Sequence, residues 1–282
     1  MRQDSRGGAH GLIFDIKEFA LNDGAGVRST VFFKGCPLRC LWCHNPEGLR
    51  PEPELYLKKA GCLDCGLCKR GCDHEECRPY GRCLHICPMN LVTVAGQWIS
   101  ADALAAKLLK RAGAFSALSG GVTFSGGEPL LQWKFCLEVI NRIRPSVNVA
   151  LETSGYSSEE AFRAVVGACD FVYMDLKLID DSEHKKYTGV SNVRILENAE
   201  WLKKSGVKHL FRTPLIPGIT DTAENFRALA EFLDGEPVEF LPYNTLAPAK
   251  YESVNREFTD LIKEEKNTLP NLSDFGEGSK IR

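Results

Sequence analysis

From about residue 100 to residue 244 the chain alternates strand-like and helix-like segments, and that rhythm restricts the possible folds more than any other feature. "VTFSG" (122–126) reads as a short strand ending in glycine, "PLLQWKFCLEVINRIR" as a helix with apolar residues at helical spacing, and "VNVALETSG" as a strand again. "SSEEAFRAVVGAC" opens with serines followed by acids, the pattern of a capped helix start. "FVYMDLKL" is a strand, "VRILENAEWLKKSG" a helix closed by Gly206, and "VKHLFRTPLIPG" a strand. "DTAENFRALAEFLDG" is a helix with Asp221 as its expected cap, and "PVEFLPYN" is the last strand. With the strand "RSTVFFKG" (28–35) and the helix "ADALAAKLLKRAG", this gives about six β/α units. Such alternation predicts an α/β fold of parallel strands joined by helical crossovers. Periodicity does not separate an open barrel from a doubly wound sheet, but both put function at the C-terminal ends of the strands.

The polar residues sit at those ends. Cys36 follows "TVFFKG", Gly126-Gly127-Glu128 follows "VTFS", Glu152-Thr153 ends "VNVAL", and Asp175-Leu176-Lys177 ends "FVYM". Arg212 interrupts "HLFRTPLIP" and Tyr243-Asn244 ends "VEFLP". One polar group at one strand end is commonly a local accident; a polar group at every one of them points to a shared mouth.

Composition narrows the class of function. The formal charge of −2 offers no basic field for nucleic acid or an anionic membrane. The longest apolar runs are strand-sized, far short of the roughly 20 residues a membrane span needs. "MRQDSRGGAHG" has no apolar stretch of the secretory kind, so a cytoplasmic location is expected. Thiols stay reduced there, and clustered cysteines more often bind metal than form disulfides. Of twelve cysteines, ten lie between Cys36 and Cys87; Cys136 and Cys169 stand alone in helical sequence and read as small buried apolar residues.

"FFKGCPLRCLWCHNPE" (32–47) places Cys36, Cys40 and Cys43 within eight positions, with no further cysteine until Cys62. Three thiolates on a [4Fe–4S] cluster leave one iron without a protein ligand, which is of no use to a structural site and of use to chemistry. The C-x3-C-x2-C spacing, with Trp42 before the third cysteine, resembles the radical S-adenosylmethionine (SAM) superfamily. The longer run "DGAGVRSTVFFKGCPLRCLWCHNPE" (23–47) resembles the leading signature of the glycyl-radical-enzyme activating enzymes, such as the activator of pyruvate formate-lyase.

That resemblance spans residues 11–251 and implies a partial (β/α)6 TIM-like barrel in which the open iron binds SAM. An electron from the reduced cluster then cleaves SAM to methionine and a 5′-deoxyadenosyl radical, which abstracts a glycine Cα hydrogen from a partner glycyl radical enzyme. It further implies roles for matching residues. Gly126, Gly127 and Glu128 in "SGGEP" match the GGE motif that holds the SAM amino group, and "MDLK" places Asp175 toward the ribose and Lys177 toward the SAM carboxylate. Glu152 stands where a relative has an aspartate beside a monovalent cation, and that cation site is left open. Arg212 is expected near the SAM carboxylate or the peptide substrate, and His44 lends backbone to adenine. Asn244 stands where a relative has an adenosine-contacting histidine; it can hydrogen-bond but not titrate. A low-potential donor such as flavodoxin or ferredoxin is implied as the electron source, with neither nucleic acid nor membrane as partner.

Residues 51–98 break the β/α rhythm with seven cysteines. The division expected is 11–50 for the first strand and cysteine loop, 51–98 for an insert, 99–251 for the rest of the barrel, and 252–282 for a C-terminal helix and tail. Against the ferredoxin pattern C-x2-C-x2-C-x3-C, the first half of the insert reads Cys62, Cys65, Cys68, Cys72; the second reads Cys77, then Tyr80 where a cysteine is due, then Cys83 and Cys87. The fourth cysteine of each half serves the other cluster in that pattern. Cys62, Cys65, Cys68 and Cys87 would hold one auxiliary [4Fe–4S] cluster, and Cys72, Cys77 and Cys83 a second site one ligand short. That site would be a [3Fe–4S] centre or a cubane whose odd iron binds solvent, Tyr80 or a nearby histidine, His74 or His85; a single auxiliary cluster with spare thiols is the other reading. Rival functions are a zinc-stabilised binding protein, suggested by "CLDCGLC", a passive ferredoxin-type carrier, and a radical SAM enzyme acting on another peptide or a small molecule. The three-cysteine group followed by GGE and DLK disfavours the first, and the second would not need the barrel.

Overall fold

The computed structural model describes residues 9–245, 247–258 and 268–282. Strand β1 (His10–Ala20) runs antiparallel to β2 (Arg28–Phe33). Next come β3 (Glu54–Leu57) and β4 (Val92–Ala95), paired antiparallel, and β5 (Gln97–Ser100), which pairs with β1. The β/α succession follows: helices α1 (Ala101–Leu109) and α2 (Ala112–Ala117), β6 (Gly121–Gly126), α3 (Trp133–Ile143), β7 (Val149–Thr153), α4 (Glu159–Val166) and β8 (Phe171–Asp175). It continues with α5 (Asp181–Thr188), α6 (Val193–Lys204), β9 (His209–Leu215), α7 (Ala223–Leu233), β10 (Val238–Pro242), α8 (Ala247–Ser253) and a short β11 (Lys280–Ile281).

Nine strands form one sheet in the order β11-β10-β9-β8-β7-β6-β2-β1-β5. Six of them, β2 and β6 through β10, are parallel neighbours in chain order, as the alternation requires. Among the described residues β5 and β11 each have one sheet neighbour, so the sheet is open there. Side chains alternate faces along a strand: Val122, Phe124, Val149, Leu151, Val172, Met174, Phe211, Val238 and Phe240 are all fully buried on the face that packs with the helices, while Thr123, Ser125, Glu152, Asp175 and Arg212 belong to the opposite, polar face. Helix α3 buries Phe135, Cys136, Val139, Ile140 and Ile143, one stripe at helical spacing. Burying each large apolar side chain is worth about 1.5–3 kcal/mol, so the sheet and its helices form one continuous core. Cys136 and Cys169 are buried within it.

Helix starts follow the polar caps read from the sequence, with one exception. Ser158 Oγ accepts from Ala161 N at 3.3 Å, and Gly206 takes a positive φ of 74° beyond α6. At α7 the cap is Thr222, whose Oγ1 accepts from Asn225 N at 3.2 Å. Asp221, the residue expected there, instead accepts from Gly218 N at 2.7 Å and stabilises the preceding turn.

The cysteine-rich segment hangs on the β3–β4 ribbon, whose register sets Glu54 opposite Ala95. Glu54 is buried and pairs with Lys34 at 2.6 Å, just beyond β2, and with Arg256 at 2.7 Å, just beyond α8. The ribbon is thereby fixed to the start of the cysteine loop. Of the expected C-terminal helix and tail, residues 259–267 lie outside the described residues. Farther on, β11 joins the sheet beside β10 and Phe275 packs edge-on against Phe240 with ring centroids 5.1 Å apart. No helix among the described residues is long and apolar enough to cross a membrane.

Candidate active site

The strand ends open into a cavity of about 730 Å³, a size in the range of small-molecule sites. Its lining includes Cys36, Cys40, Trp42, Cys43, His44, Gly126, Gly127, Glu152, Asp175, Lys177, Arg212 and Asn244. The structure thus gathers every residue the sequence assigned to the SAM site except one, Glu128.

The cysteine loop is held by its backbone. Gly35 N donates to Gly48 O at 2.8 Å, Arg39 N to Thr188 O at 2.7 Å and Leu41 N to Tyr187 O at 3.1 Å. Trp42 buries its ring against Leu178, Ile216 and Ile219, fixing the turn that carries Cys40 and Cys43. Lys250 of α8 donates to His44 O at 3.0 Å and Asn45 Oδ1 at 3.1 Å and pairs with Glu47 at 2.9 Å. The sequence reading named neither Lys250 nor the Lys34–Glu54–Arg256 group as part of the site; only their opposite charges at distant positions signalled them.

The two glycines of "SGGEP" answer a steric demand. Gly126 has φ +117°, and a Cβ there would stand 2.4 Å from Phe33 N; a Cβ on Gly127 would stand 2.3 Å from Gly35 O. Real Cβ atoms do not come so close, so glycine lets the β6 turn lie against the cysteine loop, backbone on backbone. Gly127 N then donates to Phe33 O and Glu128 N to Gly35 O, both at 2.8 Å.

Glu128 faces away from the cavity. Its carboxylate accepts from Thr153 Oγ1 at 2.7 Å, from Ser154 N at 2.8 Å, from Ser154 Oγ at 2.6 Å and from Leu130 N at 3.2 Å. Burial pushes its pKa up, and the hydrogen bonds work against that rise. Four donors on one carboxylate tie the β6 turn to the end of β7. Glu128→Gln turns an NH2 toward those donors, and urea denaturation is expected to show a loss of about 1–3 kcal/mol; unchanged stability would remove this bracing role.

Across the mouth runs a polar chain over four adjacent strands. Ser125 Oγ of β6 donates to Glu152 Oε2 of β7 at 2.6 Å, Glu152 Oε1 accepts from Arg212 Nη1 of β9 at 2.9 Å, and Arg212 Nε reaches Asp175 Oδ1 of β8 at 3.2 Å. Lys177 Nζ closes the chain on Asp175 Oδ2 at 3.1 Å. Burial opposes ionisation of Asp175, but Lys177 and Arg212 outweigh it and hold the carboxyl below its usual range. Burial likewise opposes the charge on Lys177, and Asp175 and Cys40 overcome it, so the ammonium is held more firmly than usual. Burial pushes the Cys40 thiol up to about 12 despite the nearby Lys177, and raises Cys36 and Cys43 as well. Three partly buried thiols with a cation beside them form a donor set that ionises when a metal centre takes the thiolates. Desolvation and the nearby Lys250 lower the pKa of His44.

In the cysteine-rich segment Cys72, Cys77 and Cys83 come together with His74, and Tyr80 lines a groove with Glu54, Leu55 and Arg82. Cys65 is exposed, and Cys62, Cys68 and Cys87 are partly buried. Cys68 Sγ accepts from Arg82 Nη1 at 3.3 Å and Cys87 Sγ from Leu91 N at 3.5 Å. Cys83 N donates to Cys68 O at 2.9 Å, which joins the two halves of the segment.

The chain matches the radical SAM superfamily over residues 30–233. It is 35% identical over 271 residues to the isethionate sulfite-lyase activating enzyme of Oleidesulfovibrio alaskensis, covering 88% of both chains. It is 35% identical over 276 residues to the indoleacetate decarboxylase activating enzyme of Tractidigestivibacter scatoligenes, covering 88% of this chain and 87% of the relative. To the 4-hydroxyphenylacetate decarboxylase activating enzyme of Clostridium scatologenes it is 34% identical over 275 residues, covering 88% of both. A solved domain of pyruvate-formate lyase-activating enzyme from Bacteroides vulgatus is 31% identical, covers 45% of this chain and 82% of its own, and superposes with a TM-score of 0.42.

Proposed function

Because the chain belongs to the radical SAM superfamily, we propose that its cavity holds a [4Fe–4S] cluster and SAM and that the enzyme activates a partner glycyl radical enzyme. The observation that carries this reading is the convergence on one cavity of three thiols, a partly buried lysine and a carboxylate–arginine chain. When bound, the cluster supplies the electron that divides SAM into methionine and a 5′-deoxyadenosyl radical, which takes a glycine Cα hydrogen from the partner.

The chain's own residues bind and orient. Cys36, Cys40 and Cys43 would hold the cluster by three thiolates, and its remaining open position would take the amino and carboxylate groups of SAM. Lys177, held protonated by Asp175, offers its remaining N–H donors to the SAM carboxylate. Asp175 is kept ionised to accept from the ribose hydroxyls, the backbone at Gly126 and Gly127 approaches the amino group, and His44, Trp42 and Asn244 line the adenosine side. Arg212 and Glu152 fix the position of Asp175. A donor of the flavodoxin or ferredoxin type supplies the electron, since none of these side chains is a reductant. The cysteine-rich insert on its β3–β4 stem carries at least one auxiliary cluster, on Cys62, Cys65, Cys68 and Cys87; hydrogen bonds to the sulfurs of Cys68 and Cys87 support that reading.

Two measurements test this. The reduced, oxygen-free protein mixed with SAM and its partner should give 5′-deoxyadenosine and a glycine-centred radical visible by electron paramagnetic resonance; small-molecule turnover without a partner would favour a different radical SAM enzyme. In Lys177→Ala a charge-assisted hydrogen bond worth roughly 1.5–3 kcal/mol is lost, so SAM should bind about ten- to hundredfold more weakly while the cluster spectrum is kept. Unchanged affinity would remove Lys177 from the SAM site.

A further inference from the structure

The ferredoxin spacing leaves the second site of the insert with three cysteines and puts Tyr80 where the fourth belongs. The fold supplies a different residue. Cys72, His74, Cys77 and Cys83 each present one ligand atom, and all four atoms lie within 4.8 Å of one another. His74 Nδ1 is 3.8 Å from Cys83 Sγ. Cys77 and Cys83 are buried, Cys72 is partly buried, and His74 covers the group from the solvent side. Leu84 N donates to Cys77 Sγ at 3.3 Å, the kind of N–H bond a thiolate ligand accepts. The other histidine of the segment is committed elsewhere: His85 Nε2 meets Glu76 Oε1 at 2.9 Å, and its ring stands edge-on to His74 with centroids 4.7 Å apart. One imidazole is thus turned to the thiols, and the other is paired with Glu76 beside it.

We propose that His74 is the fourth protein ligand of a closed Cys3His metal centre completed by Cys72, Cys77 and Cys83. The site takes a thiophilic metal, and two sources of that chemistry make the same demand on the protein: one zinc ion, or an iron–sulfur cluster with one imidazole ligand. The spacing is nearer to that of a single tetrahedral ion, whose ligand atoms, at bond lengths of about 2.0–2.3 Å, stand roughly 3.5–3.8 Å apart. The terminal ligands of a cubane sit on separate irons and spread farther. In either case an imidazole replaces a thiolate, so the centre carries one negative charge fewer than an all-cysteine site, and it leaves no position for substrate. The role that follows is to brace the segment or relay electrons, not to bind SAM. This inference rests on the insert alone and holds whatever the central cavity binds.

The test uses the full chain purified without oxygen, as wild type, His74→Ala, His74→Cys and His85→Ala, and reads metal coordination rather than activity. Zinc and iron per chain are measured with zinc-edge X-ray absorption and with pulsed electron paramagnetic resonance on 15N-histidine-labelled reduced protein. A single zinc with three sulfur ligands and one nitrogen, beside about eight irons for two cubanes, identifies the ion. About twelve irons with histidine nitrogen coupled to a cluster identifies the cluster. Both support the ligand assignment if His74→Ala removes the nitrogen and weakens retention of that metal at least about tenfold, while His74→Cys keeps the metal with sulfur alone and His85→Ala matches wild type. Metal content and nitrogen signal that are the same in His74→Ala as in wild type, or a nitrogen ligand lost only in His85→Ala, would overturn it.

Discussion

Alanine at Cys36, Cys40 or Cys43 is expected to abolish reductive cleavage of SAM, and each metal-free variant is expected to fold like the metal-free wild type. The first half follows from coordination: two thiolates cannot keep a cluster of this kind in register with its open iron facing SAM. The second half follows from how the loop is built. Backbone bonds from Arg39 and Leu41 to Thr188 and Tyr187, the buried ring of Trp42, and Lys250 on His44 and Asn45 all remain when a thiol is removed. Chromatography for 5′-deoxyadenosine and circular dichroism of the metal-free proteins check the two halves separately. Cys136→Ala is the control. That thiol is fully buried in the core against the sheet, so the variant should lose about 1 kcal/mol of stability and keep its cleavage rate. Wild-type deoxyadenosine formation by any of the three loop variants would sink the cluster assignment.

The parts of this molecule that were legible in the sequence are those whose signals are local. Strands read as short segments with a buried apolar residue at every second position, helices as stripes such as Phe135, Val139 and Ile143, and strand ends as glycine or charge. The cavity could be assembled from those ends because parallel strands in chain order deliver them to one rim. What was missed depends on distant partners. Strand β1 alternates apolar and charged residues over residues 14–17, yet its place in the sheet depends on β5, far along the chain. Lys34, Glu54 and Arg256 look like surface charges one at a time, yet they meet, with Lys34 and Glu54 buried and Arg256 partly so. At α7 two adjacent residues could both cap, and the choice of Thr222 is decided by the bond Asp221 makes to Gly218. His74 is the same kind of case: cysteine spacing singles out Tyr80, and only the folded turn turns an imidazole toward the thiols.

Arg212→Ala should cost more stability than any other single change at the mouth, because it strands two carboxylates at once. Arg212 is buried and spends Nη1 on Glu152 and Nε on Asp175, with its guanidinium 4.9 Å from the centre of the Tyr173 ring. Without it, among the described residues, Glu152 keeps its bond from Ser125 and Asp175 its bond from Lys177, and the two anionic strand ends repel each other across β7 and β8. Removing one partner from a buried ion pair costs about 3–5 kcal/mol. The lower end applies here because Asp175 faces the open cavity, and in a chain of this size a fall of roughly 6–10 °C in melting temperature follows. Arg212→Lys should recover little, since one ammonium cannot reproduce the two-pronged reach of a guanidinium. The double variant Arg212→Ala, Glu152→Gln should recover part of the loss by neutralising one stranded charge, which a merely space-filling role for Arg212 would not allow. Thermal melts of the four proteins at one pH decide the matter: a single variant as stable as wild type, or a double variant no better than the single, would show that the charge chain across β6 to β9 does not hold the mouth together.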